Sequence, residues 1–211
     1  MPGETTYSKY IWDYFMERFN NAYGVAGLMG NLYAESRLNP KNLQQTYEQS
    51  LGFTDDSYTE AVDSGAYTKE QFVNDSAGYG LAQWTYWSRK QSMYEFWKNG
   101  GYSSIGSIDL ACDFLLRELE RSFNSVLVTL VTATSIREAS DKVLHDFESP
   151  QNQSEAVEIL REQYGQAYFD LYAGTVPDVP DTPDEPDEPD EPEQAKRQGM
   201  SLLLMLIATR R

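Results

Sequence analysis

Residues 24–40 read GVAGLMGNLYAESRLNP, and the rest of the chain is organised around them. On a helix, Val25, Leu28, Leu32 and Glu35 fall three, four and three residues apart, which sets them on one stripe. Three of the four are apolar and the last is a carboxylic acid. Asn39-Pro40 is the expected stop, because a residue before proline avoids the α region. Glu35 then occupies the last turn of an apolar face. Desolvation there disfavours a charged carboxyl, and the negative end of the helix dipole acts in the same direction. A carboxyl held neutral can serve as a general acid. An exposed helix-end glutamate would show the same spacing, so the pattern suggests a site without establishing one.

Composition bounds what such a site could serve. The 211 residues suit one compact domain with appendages, and 40% hydrophobic with 13% aromatic residues is enough for a core. Fifteen tyrosines and four tryptophans exceed what packing needs, and aromatic faces also serve as platforms for sugars. The formal charge is −16. Residues 174–193 hold nine acids and no base, and residues 194–211 hold four bases and no acid. The other 173 residues keep 24 acids against 13 bases, which argues against a nucleic-acid partner. The single cysteine excludes an intramolecular disulfide and a cysteine zinc site, and the single histidine excludes a multi-histidine centre. No metal and no cofactor is implied. The opening MPGETTYSKYIWDYF lacks the basic and apolar regions of a Sec signal peptide, so action on a cell wall would require another route out.

In chain order, residues 7–20 predict an amphipathic helix burying Tyr10, Ile11, Tyr14, Phe15 and Phe19. Asn20-Asn21 breaks it from the helix that ends near Glu35. Residues 41–78 are polar and broken, with isolated aromatic anchors, and predict loops, short helices or a small hairpin. A segment this long within a compact domain is usually functional. DSAGYGLAQWTYWSRK, residues 75–90, follows, its two glycines letting the backbone pass close to a neighbour. Helices are expected over 88–98, 107–123, 135–147 and 153–172, with Ser107 as a cap. VPDVPDTPDEPDEPDEPE cannot build a core and reads as an extended acidic linker over 174–193. The tail, 194–211, holds an apolar run between basic flanks that is too short to span a bilayer, which leaves weak contact with a membrane surface as its expected role.

Other chemistries fit poorly. Cys112 lies inside an apolar helix face, unlike a nucleophilic thiol, and His145 reads as a packed or surface residue. GxSxG, HExxH and phosphate-cradling glycine loops are absent. Carboxylate chemistry remains, and most glycosidases pair a protonated acid with a second carboxylate. Glu35 is the candidate acid and Asp75 the candidate partner, with Asp55, Asp56 and Glu48 as further choices in the same insert. Glu148, at a helix corner, reads as structural.

GNLYAES at 30–36, AGYGLAQWT at 77–85 and HDFESP at 145–150 resemble, in that order, the phage tail-tip lysozyme family. The likeness is more distant to goose-type lysozymes and soluble lytic transglycosylases, where a helix-end Glu-Ser precedes a Gly-Leu-x-Gln segment and a late aromatic-rich helix. It covers roughly residues 7–172. The resemblance implies a mainly α, lysozyme-like domain over 1–173, with a small irregular or β lobe and a substrate groove. It implies cleavage of the β-1,4 bond between N-acetylmuramic acid and N-acetylglucosamine in peptidoglycan, by hydrolysis or by the transglycosylase route. Glu35 would be the acid, supported by Ser36. Gly80, Leu81 and Gln83 would line the groove, with Tyr79 and Trp84 nearby. Peptidoglycan and other phage tail proteins are the implied partners, and a non-catalytic wall-binding tail protein is the reading from outside enzymology.

Overall fold

The computed structural model describes residues 2–174. It begins with α1 (Ser8–Phe19) and α2 (Ala22–Ser36), then three short helices, α3 (Gln45–Leu51), α4 (Asp55–Ser64) and α5 (Lys69–Asn74). Next come α6 (Trp87–Gly100), α7 (Ile108–Arg121), α8 (Asn124–Thr132) and α9 (Ile136–Lys142). α9 runs directly into a π-helical segment, Val143–Glu148, and α10 (Glu155–Tyr172) closes the described chain. Among the described residues, extended pairing amounts to two isolated antiparallel bridges, Leu43 with Tyr79 and Tyr79 with Trp84. The fold is mainly α, as expected. The insert over 41–78 forms short helices, and the expected hairpin does not form.

The centre of the domain is α2. Its apolar stripe, Val25, Leu28 and Leu32, is fully buried, but the opposite side is buried too, because α1, α8, α9 and α10 all pack on it. Glycines at every third position make room. A Cβ on Gly24 would lie 1.8 Å from the Leu130 carbonyl oxygen of α8, and one on Gly27 would lie 2.6 Å from Ala139 Cβ of α9. A Cβ on Gly30 would lie 2.3 Å from the Arg161 carbonyl oxygen of α10. Gly165 answers from α10, where a Cβ would stand 2.8 Å from the Ala26 carbonyl oxygen. Small residues on both helices therefore draw the backbones of α2 and α10 together.

The ends of α2 are well defined. Asn21 caps the start, its side chain accepting from the Tyr23 and Gly24 amides. The stop comes earlier than proline alone predicts: Arg37 and Leu38 both take left-handed backbone angles, φ 56° and 63°, and the Arg37 amide donates to the Tyr33 carbonyl. Non-glycine residues adopt that region only when the surroundings fix them, and here Leu38 is completely buried. The turn leaves Glu35 at the end of a rigid helix.

Two further expectations change. Tyr10 is 41% exposed; its hydroxyl donates to Asp109 at the surface. The stretch 124–134, rich in valine and threonine and without a predicted element, holds α8, whose Val126 and Leu130 are buried. Burial against α2 overrides the modest helix propensity of β-branched residues. The linker and tail expected over 174–211 lie outside the described residues, apart from Gly174.

Candidate functional site

Glu35 faces Arg161 of α10. The guanidinium Nη2 donates to Glu35 Oε1 at 2.5 Å, and Nη1 donates to Glu148 Oε2 in a very short contact and to Asn31 Oδ1 at 3.1 Å. Asn31 is fully buried on α2 and is itself held, its Nδ2 donating to the Gly27 carbonyl at 2.9 Å and to both oxygens of Ser140 at 3.1 Å. Arg161 lies one helical turn before Gly165, so the close approach of α10 to α2 brings the guanidinium to the end of α2. Only 8% of its side chain is exposed, against 23% for Glu35. A buried guanidinium held by three partners is a fixed positive charge with little freedom to reorient.

Glu148 ends the π-helical segment, a form of helix often found at functional sites. The next residue, Ser149, is left-handed at φ 44°, and its amide donates to the Leu144 carbonyl. Phe147 anchors the segment inward against Phe123, ring centroids 4.8 Å apart. The Glu148 side chain is 4% exposed, and its Oε1 is buried with no hydrogen-bond donor. Burial pushes its carboxyl well above the usual carboxylate range, and the neighbouring Glu35 charge adds to this, while Arg161 opposes it. The neutral acid is the form this surrounding favours, because two carboxylates in contact cannot both ionise cheaply around one cation.

Both carboxyls open onto a cavity of about 580 Å³, which Gln44, Gln83, Tyr86 and Arg89 also line. Arg89 is fixed by Glu118, donating from Nε at 2.8 Å and from Nη2 at 2.7 Å. A second hollow of about 370 Å³ adjoins it and shares Thr85 and Tyr86. Tyr86 and Trp87 stand at the junction, 64% and 52% exposed, their rings 6.0 Å apart. Large aromatic rings this exposed beside a polar cleft are unusual unless something covers them.

The segment after Asp75 supports the cavity more than it lines it. Of its expected groove residues, Gln83 does line the cavity; its backbone is left-handed at φ 45°, and its Nε2 donates to Asn42 and Gly80. Gly80, also left-handed at φ 78°, passes against the Trp84 ring. Tyr79, Leu81 and Trp84 are fully buried. The Tyr79 hydroxyl pairs with Thr59 at 2.7 Å, and Trp84 Nε1 donates to Glu118 at 2.6 Å. Ser36 is buried as well, its hydroxyl bonding the Leu32 carbonyl at 3.0 Å and the Leu81 carbonyl at 2.8 Å. It ties this segment to the helix turn that carries Glu35.

Asp75 is not brought to the cavity. Its carboxylate is 2% exposed and pairs with the fully buried Lys90 at 2.5 Å. It also accepts from the Tyr58 hydroxyl at 2.5 Å and from the Ala77 amide at 2.9 Å. A carboxylate so fully occupied holds α5 and α6 together and is not free for chemistry. Asp55 likewise accepts from the Leu43 amide and the Asn39 side chain, and Asp56 pairs with Lys41 at the surface. Glu48 does not line the cavity. Glu148, read from the sequence as structural, lines the cavity and shares Arg161 with Glu35. Arg161 had no sequence signal beyond an arginine one turn before a helical glycine. Cys112 is buried, which pushes its thiol up, and both ring nitrogens of His145 are taken by Gln153 and Glu158.

No curated protein and no solved structure matches the chain. A family model does: that of phage tail lysozymes matches residues 6–172. The matched span contains GNLYAES, AGYGLAQWT and HDFESP, and with them Glu35, Gln83, Glu148 and the Arg161 that joins the first to the third. By the extent of that match the chain belongs to the phage tail lysozyme family, a phage-associated class that acts on the peptidoglycan of the bacterial wall.

Proposed function

We propose that the chain is a muramidase: it cleaves the β-1,4 bond between N-acetylmuramic acid and N-acetylglucosamine, with Glu35 as general acid. The observation that carries this reading is Glu35 on the wall of the cleft, at the end of a rigid helix, with Arg161 fixed against it. Proton delivery needs a carboxyl that reaches the leaving oxygen, and 23% exposure allows that. Proton loss leaves an anion, which the guanidinium is placed to receive. Tyr86 and Trp87 supply flat apolar faces along the cleft for sugar rings, and Gln83 and Gln44 supply amides for their hydroxyls and acetamido groups.

A specific observation also favours a second reading, lytic transglycosylation. Two-carboxylate glycosidases separate the pair by roughly 5–5.5 Å or 6.5–9.5 Å across the scissile bond. Glu148 instead contacts the same guanidinium as Glu35, which supports a role beside the acid over one across the scissile bond. Asp75 is elsewhere. Glu35 then works without a facing carboxylate, and either water or the sugar's own hydroxyl completes the reaction. A mass spectrum of digested peptidoglycan separates the readings. Reducing muramic ends mark hydrolysis, anhydro ends mark transglycosylation, and intact glycan would reject both in favour of a wall-binding protein.

A further inference from the structure

We infer that Glu148 is a positioning residue that stays protonated through the catalytic cycle and, together with Arg161, receives the carboxylate that Glu35 becomes when it gives up its proton. This rests on the reading of Glu35 as the acid. Four observations carry it. Glu148 is 4% exposed, and it opens onto the same cleft as Glu35. Its Oε2 takes a donor from Arg161, but its buried Oε1 takes none. An ionised carboxylate in that place would leave an oxygen without a donor in a poorly solvated site, which is costly, whereas a carboxylic acid has a proton of its own to give. That proton has an acceptor close by, since Glu35 is held by the same guanidinium. The charge count agrees once the proton has been given: one guanidinium then faces one carboxylate, and the site is neutral.

The charged groups around Glu148 support the assignment. From α2 comes Glu35 and from α10 comes Arg161. Arg89 of α6 lines the cleft but is committed to Glu118. His145, one turn earlier in the π-helical segment, is committed to Glu158 and Gln153. Among the described residues, Arg161 is the cation that contacts both carboxyls.

The proton balance is simple. Glu35 starts as the acid, with Glu148 neutral and Arg161 charged. As the bond to the glycosidic oxygen breaks, the Glu35 proton passes to that oxygen and leaves with the departing sugar. Glu35 is now an anion, held by Arg161 and by the Glu148 hydroxyl. The water or sugar hydroxyl that attacks the anomeric carbon loses one proton, and that proton returns to Glu35. The Glu148 proton does not move. Its function is to be present before the charge develops, which is what makes a fixed donor effective.

Glu148→Gln tests this, because an amide keeps a neutral donor but cannot ionise. With soluble muropeptide oligomers, the full-length Glu148→Ala variant is expected to lose roughly tenfold or more in kcat, and Glu148→Gln to recover most of that loss. The alkaline limb of Glu148→Gln should stay where the wild-type limb lies, since that limb reports the Glu35 proton while Glu148 remains neutral. A folded Glu148→Gln protein as inactive as Glu148→Ala would overturn the inference, as would an alkaline limb that moves. If the variant does not fold, the carboxyl-carbon NMR titration of the wild type decides. A Glu148 carbon that keeps its neutral-acid shift across the active pH range supports the inference, and one that titrates with ordinary surface glutamates overturns it. That titration reads Glu148 whether or not Glu35 is the acid, so failure of the two assignments can be told apart.

Discussion

Arg161 Nη2 lies 2.5 Å from Glu35 Oε1, although the two residues are 126 positions apart in sequence. The contact exists because Gly30 and Gly165 let the α2 and α10 backbones meet, and because Asn31 turns the guanidinium toward the helix end. One cation thereby holds an exposed acid and a buried one.

Arg161→Met should therefore cost both stability and activity. The side-chain volume is roughly kept, but the buried carboxyl of Glu148 and the polar face of Asn31 lose their partner. Removing one member of a buried ion pair costs about 3–5 kcal/mol. Thermal unfolding of the variant should show a loss of that order, and muropeptide cleavage should fall even at temperatures where it stays folded. Unchanged stability would mean that Arg161 is a surface group in solution.

How much of this was legible beforehand follows from the kind of signal each residue leaves. The helix ending near Glu35 shows in its spacing, because a buried face must repeat with the helix period. The order of GNLYAES, AGYGLAQWT and HDFESP carried the family. Register and turns limited the rest. Tyr79 and Trp84, aromatic residues in a glycine-rich loop, read as neighbours of the groove, but the left-handed turns at Gly80 and Gln83 carry both rings into the core. The aromatics exposed at the cleft, Tyr86 and Trp87, come just after Thr85. Asp75 and Glu148 are almost equally buried, at 2% and 4% exposed, and they differ in their partners and in which of them borders the cavity. Lys90, which satisfies Asp75, and Arg161, which reaches Glu148, come from distant helices that no local pattern could pair.

Asp75→Asn follows from that difference. The amide keeps the shape but leaves Lys90 buried without a counter-charge, so the cost should be mainly in folding, again about 3–5 kcal/mol. Below its lowered melting temperature, the folded variant should cleave muropeptides within about threefold of the wild-type rate. A variant that melts normally but has lost turnover would restore Asp75 to the chemistry.

The raised Glu148 carboxyl also sets a pH dependence of stability. Its native form holds a proton above the ordinary carboxylate value of 4.5, where the unfolded chain has already released it. Between those two values the native state binds more protons, so stability falls as pH rises. This contribution is fully present below the unfolded value and is lost as pH climbs through the native one. In Glu148→Gln it disappears. Urea melts of both proteins from acidic to neutral pH should show the variant gaining on the wild type as pH increases. Parallel curves would mean that Glu148 ionises normally.

The central claim is that Glu35 is the acid that breaks the glycan. The most direct measurement is the rate at which purified sacculi release soluble muropeptides with the wild type and with Glu35→Gln, alongside circular dichroism to confirm that both are folded. Gln nearly matches Glu in shape but has no carboxylic proton to give, so the rate should fall by roughly 10²–10⁴-fold with the fold unchanged. A folded Glu35→Gln protein releasing muropeptides within about threefold of the wild type would contradict the account.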